Sequence, residues 1–151
     1  MNERLYPLPR SAYSWNQETV LQWEDCDIYG HVNNVAYLKY FDTALNMALI
    51  DYGALDLSQE ATDPIGLVVK NGAEFFSEIN FPTRLWVGAR VEKVGRTSLT
   101  WGFGLFSAGE ELCAARGTYV HVYVDRQTRR PIELTDKLLA CAKALAAPDD
   151  N

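Results

Sequence analysis

From Asn34 to Tyr52 the chain carries a pattern that few folds can accommodate, a helix that is apolar over more than half its circumference. Leu38, Phe41, Leu45, Ala48, Leu49 and Tyr52 recur at spacings of three and four, the period of one helical face. At about 100° per residue, Lys39, Asp42, Thr43 and Asn46 fall in one polar sector, while Ala36, Tyr40, Ala44 and Met47 widen the apolar arc. Asn33 or Asn34 suits the helix cap and Gly53 its end. A helix this apolar needs cover on several sides, and a curved sheet wrapped around it supplies that cover.

The rest of the chain provides the sheet. Thr19–Glu24 reads as a short strand. After a polar loop, Gly66–Ile79 is rich in Val and Phe, with Gly72 placed for a bulge. Asn80–Thr83 reads as a turn before the strand Leu85–Val94. Gly95 and Arg96 then turn into Thr97–Ser107, where Leu99, Trp101, Phe103 and Leu105 alternate with small or polar residues. Cys113–Val124 keeps that period, with Thr118, Val120, Val122 and Val124 on one face and Tyr119, His121 and Tyr123 on the other. Thr135–Ala146 is a short helix with Thr135 as cap. Consecutive strands joined by short turns imply antiparallel pairing, so the class is α+β, with about five strands around a long central helix. One sheet and one helix cover only one sheet face well. Aromatic outer positions suggest that the second face, or an edge, meets another subunit.

The 151 residues suit a single domain spanning 1–151. No apolar run is long enough to cross a bilayer, and MNERLYPLPRSAY lacks the apolar stretch of a signal peptide. The tail AAPDDN reads as a frayed end. The three cysteines, Cys26, Cys113 and Cys141, are scattered and odd in number, which fits a reducing compartment. The cytoplasm is the expected location, without membrane insertion. A net charge of −6 disfavours a nucleic-acid surface, yet a few local Arg or Lys residues suffice for an anionic small molecule.

Directly before the helix stands DCDIYGHVNN, Asp25–Asn34. The first amides of a helix lack intrahelical partners, and the helix dipole adds partial positive charge there. That corner can hold a developing oxyanion. Asp27 lies a few residues upstream across Gly30 and can face the same volume. A carboxylate beside such donors suits hydrolysis of an activated carbonyl, by direct attack or by deprotonating a water. Because a carboxylate is a weak nucleophile and a weak base, a thioester fits better than an amide. Each residue alone has a plainer role: Asp27 as an Asx-turn acceptor, the asparagines as caps, His31 as a hydrogen-bonded structural group.

WEDCDIYGHVNNVAYLKYFDTA resembles the D-x-D-x-x-G-H-V-N-N-x-x-Y-x-x-Y-F signature of the 4-hydroxybenzoyl-CoA thioesterase-like family. The likeness is close over Asp25–Phe41 and continues more weakly through the strand order and VEKVGRTSLTWGF. It implies a hotdog fold, a long helix wrapped by an antiparallel sheet, acting as a homodimer or homotetramer. It also implies hydrolysis of acyl-CoA or acyl-carrier-protein thioesters with no metal and no cofactor. Carried over, Asp27 would be the catalytic carboxylate and Asn34 the oxyanion donor. His31 lies where related plant-type acyl-carrier thioesterases place an assisting histidine, although they have asparagine where this chain has Tyr29. Gly66 falls where a further backbone donor can come from, and Arg96, Thr97 and Ser98 match a segment that can contact CoA phosphates. Tyr37, Phe41 and Trp101 could line or support the acyl pocket, although core packing explains them equally well.

Two alternatives share this scaffold: a non-catalytic acyl-CoA binding module, and a hydratase or dehydratase, which the GHVNN match counts against. Cys26 is a poor nucleophile, because its flanking carboxylates raise a thiol pKa. Two histidines and unpaired cysteines make a poor metal site. His121 reads as a buried or interface histidine. The Arg126, Arg129 and Arg130 cluster reads as a solvated turn more readily than as a CoA contact.

Overall fold

A computed structural model describes residues 4–58 and 62–148. Its elements are β1 (Trp15–Val20), α1 (Asn34–Asp51), β2 (Ile65–Phe75), β3 (Arg84–Val94), β4 (Ser98–Ser107), β5 (Ala115–Val124) and α2 (Asp136–Ala144), with short 3-10 turns at Arg10–Ala12 and Trp23–Asp25. The five strands form one antiparallel sheet in the order β1-β3-β4-β5-β2. The sheet is wrapped around α1, as the helix pattern required.

The helix buries Ala36, Tyr37, Tyr40, Phe41, Ala44, Leu45, Ala48 and Leu49. Against them lie Leu99, Trp101, Phe103 and Leu105 of β4. Phe41 stacks on Phe103 with ring centroids 5.4 Å apart. Helix and sheet approach closely because β5 has a glycine at their contact: a Cβ on Gly117 would lie 2.4 Å from the Phe41 ring. Tyr119 Oη donates to the Leu38 carbonyl at 2.8 Å, tying β5 to the helix. Gly53, at φ +70°, ends the helix as expected, and Ala54 N–H donates to Leu49 O at 2.8 Å. Tyr52 lies beyond the last turn and is exposed. Helix α2 adds Leu138, Cys141 and Leu145 to the same core, and Thr135 Oγ1 caps it by accepting from Leu138 N–H.

Three expectations need correction. The first strand is Trp15–Val20, not Thr19–Glu24. It pairs with β3 from Trp15↔Ala89 to Val20↔Arg84, and the chain then tightens into the Trp23–Asp25 turn. The bulge in β2 falls between Val68 and Lys70, while Gly72 pairs regularly with Thr118. Neither Asn33 nor Asn34 caps α1 through its side chain. Asn33 holds the cap position, and backbone bonds fix it instead, Asn33 N–H to Asp25 O at 2.8 Å and Ala36 N–H to Asn33 O at 2.9 Å. Of the two faces that alternate along β5, the one carrying Tyr119, His121 and Tyr123 is the inner one, and His121 is buried, one of its two expected readings. Part of the outer face is covered by the chain's own N-terminal segment: Tyr13 is buried against Phe106 and Cys113, and its hydroxyl donates to Phe103 O at 3.1 Å.

Candidate active site

The two acids of the motif are separated by their surroundings. Asp25 is buried and accepts from Lys39 Nζ at 2.6 and 2.5 Å and from Tyr40 Oη at 2.7 Å. Burial pushes its carboxyl up, but the Lys39 and Tyr40 hydrogen bonds and the Lys39 charge outweigh this and hold it below its ordinary value. Asp25 therefore anchors the loop to α1. The same residue's carbonyl receives the Asn33 amide, so the anchor also sets where the helix begins.

Asp27 starts a tight turn closed by Gly30 at φ +77°. Its Oδ1 accepts from the amides of Tyr29 at 2.8 Å and His31 at 3.0 Å. The Asx-turn role is thus present in full. It uses only one carboxylate oxygen, and Oδ2 has no hydrogen-bond partner among the described residues. The turn is clamped further by Asp27 N–H to His31 O at 2.8 Å and Phe81 N–H to Gly30 O at 2.8 Å.

Asp27, His31, Asn34 and Tyr37 border one cavity of about 220 Å³ together with Phe75, Ser77 and Glu78. The Asn34 amide, first of the helix, makes no hydrogen bond among the described residues. His31 Nε2 lies 3.4 Å from Glu78 Oε2. Tyr37 packs edge-on against Phe75 with centroids 4.9 Å apart. Burial raises its phenol pKa, and the Glu78 charge adds to the effect. The cavity thus holds a carboxylate with one free oxygen, an unbonded amide at the positive end of a helix, and a histidine–glutamate pair. Such a set can activate a water or attack a carbonyl while holding its oxygen.

Sequence reasoning did not find Glu78, Ser77 and Phe75. They follow β2 and reach the cavity only because the chain returns past Val32, whose amide donates to Ile79 O at 3.3 Å; nothing local in GAEFFSEI marks them. Phe41 and Trp101 are fully buried in the core and do not border the cavity. Gly66, Arg96, Thr97 and Ser98 lie at the other end of the sheet, where Ile65 pairs with Val124 and Ser98 with Val122. Within one chain they do not join Asp27. Burial, then the charges of Asp25 and Asp27, push the Cys26 thiol up. Among the described residues no three His, Cys, Asp or Glu side chains gather as a metal site.

A helix wrapped by this five-stranded antiparallel sheet is a hotdog fold of the thioesterase type. The chain belongs to the thioesterase-like superfamily, whose family model matches residues 21–141. It is 37% identical to the PA5185 protein from Pseudomonas aeruginosa strain PAO1, covering 96% of this chain and 100% of that one with a TM-score of 0.88. More distant structures share the fold. One is Slr0204, a 1,4-dihydroxy-2-naphthoyl-CoA thioesterase from Synechocystis, at 18% identity, covering 85% and 94% of the two chains with a TM-score of 0.76. Another is the Dynemicin thioesterase, at 16% identity, covering 89% and 98% with a TM-score of 0.79. No curated protein matches the sequence. No helix among the described residues is long and apolar enough to cross a membrane.

Proposed function

We propose that the chain is a cytoplasmic acyl-CoA thioesterase that works as a homodimer or a dimer of dimers, with an acyl-carrier-protein thioester as the alternative substrate. The observation that carries this reading is the meeting of the free Asp27 oxygen and the unbonded Asn34 amide at one cavity. Asp27 either attacks the thioester carbonyl or takes a proton from the attacking water. The Asn34 N–H holds the tetrahedral oxygen, a contribution of roughly 3 kcal/mol at such sites. His31, 3.4 Å from Glu78, would pass a proton to the departing sulfur. Water is consumed, and a free acid and a thiol leave; no step needs a cofactor.

Exposed apolar groups support a second copy. Ile28, Tyr29 and Val35 are exposed and adjoin in sequence residues that border the cavity, and Leu67, Val68, Val69 and Phe75 lie exposed along β2. Strand β2 is an 11-residue sheet edge, a row of free backbone groups that a natural protein normally covers. Pairing β2 with its copy about a two-fold axis would set the Ile65 end of one strand against the Phe75 end of the other. Gly66 and the Arg96–Ser98 turn, of which Arg96 is exposed, would then approach the other copy's Asp27, where a backbone donor and phosphate contacts are needed. Sedimentation as a monomer at micromolar concentration would remove this element.

Asp27→Asn keeps the turn acceptor and deletes the charge. Free-thiol release from short, long and aromatic acyl-CoAs should fall about 10³-fold with folding intact. Near-wild-type hydrolysis by that variant rejects the role of Asp27. Binding of acyl-CoA by the wild type without hydrolysis would make the chain a binding module.

A further inference from the structure

A cavity of about 280 Å³ opens on the outer face of the sheet, between β2, β5 and the N-terminal segment. Lys70, Gly72 and Glu74 of β2 pair there with Val120, Thr118 and Arg116 of β5. These positions alternate with Tyr119 and His121, which lie on the inner face. None of the residues lining this cavity borders the Asp27 cavity. Leu5 and Ala73 give it an apolar wall, and Gly72 leaves it open, because a Cβ there would meet no atom within 4 Å.

Arg116 is the charged centre of this cavity, with a side chain only 10% exposed. Its Nη1 donates to Tyr6 O at 3.1 Å. Its Nη2 lies 3.8 Å from Glu92 Oε1, beyond hydrogen-bond length. That oxygen is already taken by Arg90, whose Nε and Nη2 each donate to it at 3.4 Å. Nε and Nη2 of Arg116 therefore have no acceptor among the described residues. Neither is sealed off. The enclosed side-chain atoms without a partner are Trp101 Nε1, His121 Nδ1 and Tyr123 Oη, so both Arg116 nitrogens keep accessible surface on a residue that lines the cavity.

A buried charge left uncompensated is costly, and here two guanidiniums share one carboxylate oxygen. Lys70 and Glu74 also line the cavity, and neither forms an ion pair among the described residues. Three cations, Arg90, Arg116 and Lys70, thus stand against two carboxylates, Glu92 and Glu74. The excess is local, since the whole chain carries a net charge of −6. One surplus positive charge matches a monoanion and repels an ammonium. Nε and Nη2 form one edge of the guanidinium, the pair of parallel donors that a carboxylate bridges. The wall of Leu5 and Ala73 suits a short hydrocarbon tail behind that carboxylate.

We propose that this outer-face cavity binds a small monocarboxylate with a short apolar tail, held by the free edge of Arg116 and by Lys70. An acid released by thioester hydrolysis belongs to this class, but the site is separate from Asp27 and stands without that reading. The test titrates hexanoate, its neutral counterpart hexanamide, and inorganic phosphate into the full chain without substrate, and follows the Arg116 Nε–H resonance. Lys70→Gln removes one charge. Gly72→Leu, at a regularly paired strand position with open space above it, fills the cavity and leaves both cations in place. Arg116→Lys keeps the charge and deletes the paired donors.

Hexanoate should saturate the Arg116 response with a Kd about ten-fold or more below those of hexanamide, which lacks the charge, and phosphate, which lacks the tail. Lys70→Gln and Gly72→Leu should each raise the hexanoate Kd about ten-fold or more, and calorimetry should show the same for Arg116→Lys. Where Arg116→Lys fails to fold for want of the Tyr6 bond, the other two variants decide. Hexanamide or phosphate binding as tightly as hexanoate, or unchanged hexanoate affinity in Gly72→Leu, overturns the site and leaves the hydrolase standing. An intact Arg116 response in a chain that releases no thiol from any thioester overturns the hydrolase and leaves the site.

Discussion

The two ends of α1 treat polar groups in opposite ways. At its start, a loop brings the Asp27 carboxylate and a free amide to a cavity open to solvent, with His31 and Glu78 beside them. Toward its end, a second cavity of about 210 Å³ has an apolar wall of Leu45, Leu49, Leu55 and Ile65, and the polar groups of the bordering His121 and Tyr123 are enclosed and neutral. A charged, hydrated corner suits bond breaking, where charge develops and must be held. An apolar corner with enclosed, neutral polar groups suits packing, where a buried group left unpaired costs stability. The two ends of one helix differ in this way because they differ in what covers them.

The sharpest way to break this contrast is at the charged end. Asn34→Pro removes the amide proposed to hold the oxyanion, yet proline is well tolerated at the first helical position. The preceding Asn33, at φ −62° and ψ 142°, already has the backbone that proline demands. Turnover should fall about 10²- to 10³-fold, with helix content and KM nearly unchanged. Full turnover in this variant would take the amide out of the chemistry.

A smaller effect distinguishes the ends by acid titration of stability. At the later end, His121 resists protonation in the folded state while the unfolded chain takes up a proton below about pH 6.5. Stability should therefore start to fall as pH drops through that value. At the earlier end, the Asp25 carboxyl is held below its ordinary value, so its contribution is present above about pH 4 and is lost on further acidification. Each step has a slope of at most about 1.4 kcal/mol per pH unit. Denaturant unfolding from pH 8 to pH 3 should show two declines. His121→Phe should remove the first and Asp25→Asn the second; a single decline untouched by either substitution would contradict the assignment.

The sequence revealed α1 and β3 to β5 because their apolar residues repeat at periods that only one element type satisfies. It hid β1. In WNQETV the inward positions after Trp15 are Gln17 and Thr19, half-buried at one end of the sheet next to β3, so no apolar alternation appears. Alternation in β5 separated two faces but could not say which faces inward. The β-branched Thr118, Val120 and Val122 look like core, whereas the room beside α1 is taken by Tyr119, His121 and Tyr123. At the candidate site, Asp27, His31, Asn34 and Tyr37 fall within eleven consecutive residues and were legible together. The division of labour between Asp25 and Asp27 depends on Lys39 and Tyr40, one to two helical turns on. Glu78 and the second cavity depend on strand pairing across the whole chain.

The turn that holds Asp27 has a stereochemical consequence. Two amides fix Oδ1, so the carboxylate cannot spin freely, and the proposed chemistry would have to use Oδ2. A thioester carbonyl is planar and has two inequivalent faces. Under the proposed mechanism a reagent with one usable atom, set across from one fixed donor, would meet only one of them, so the resulting tetrahedral carbon would have a single configuration.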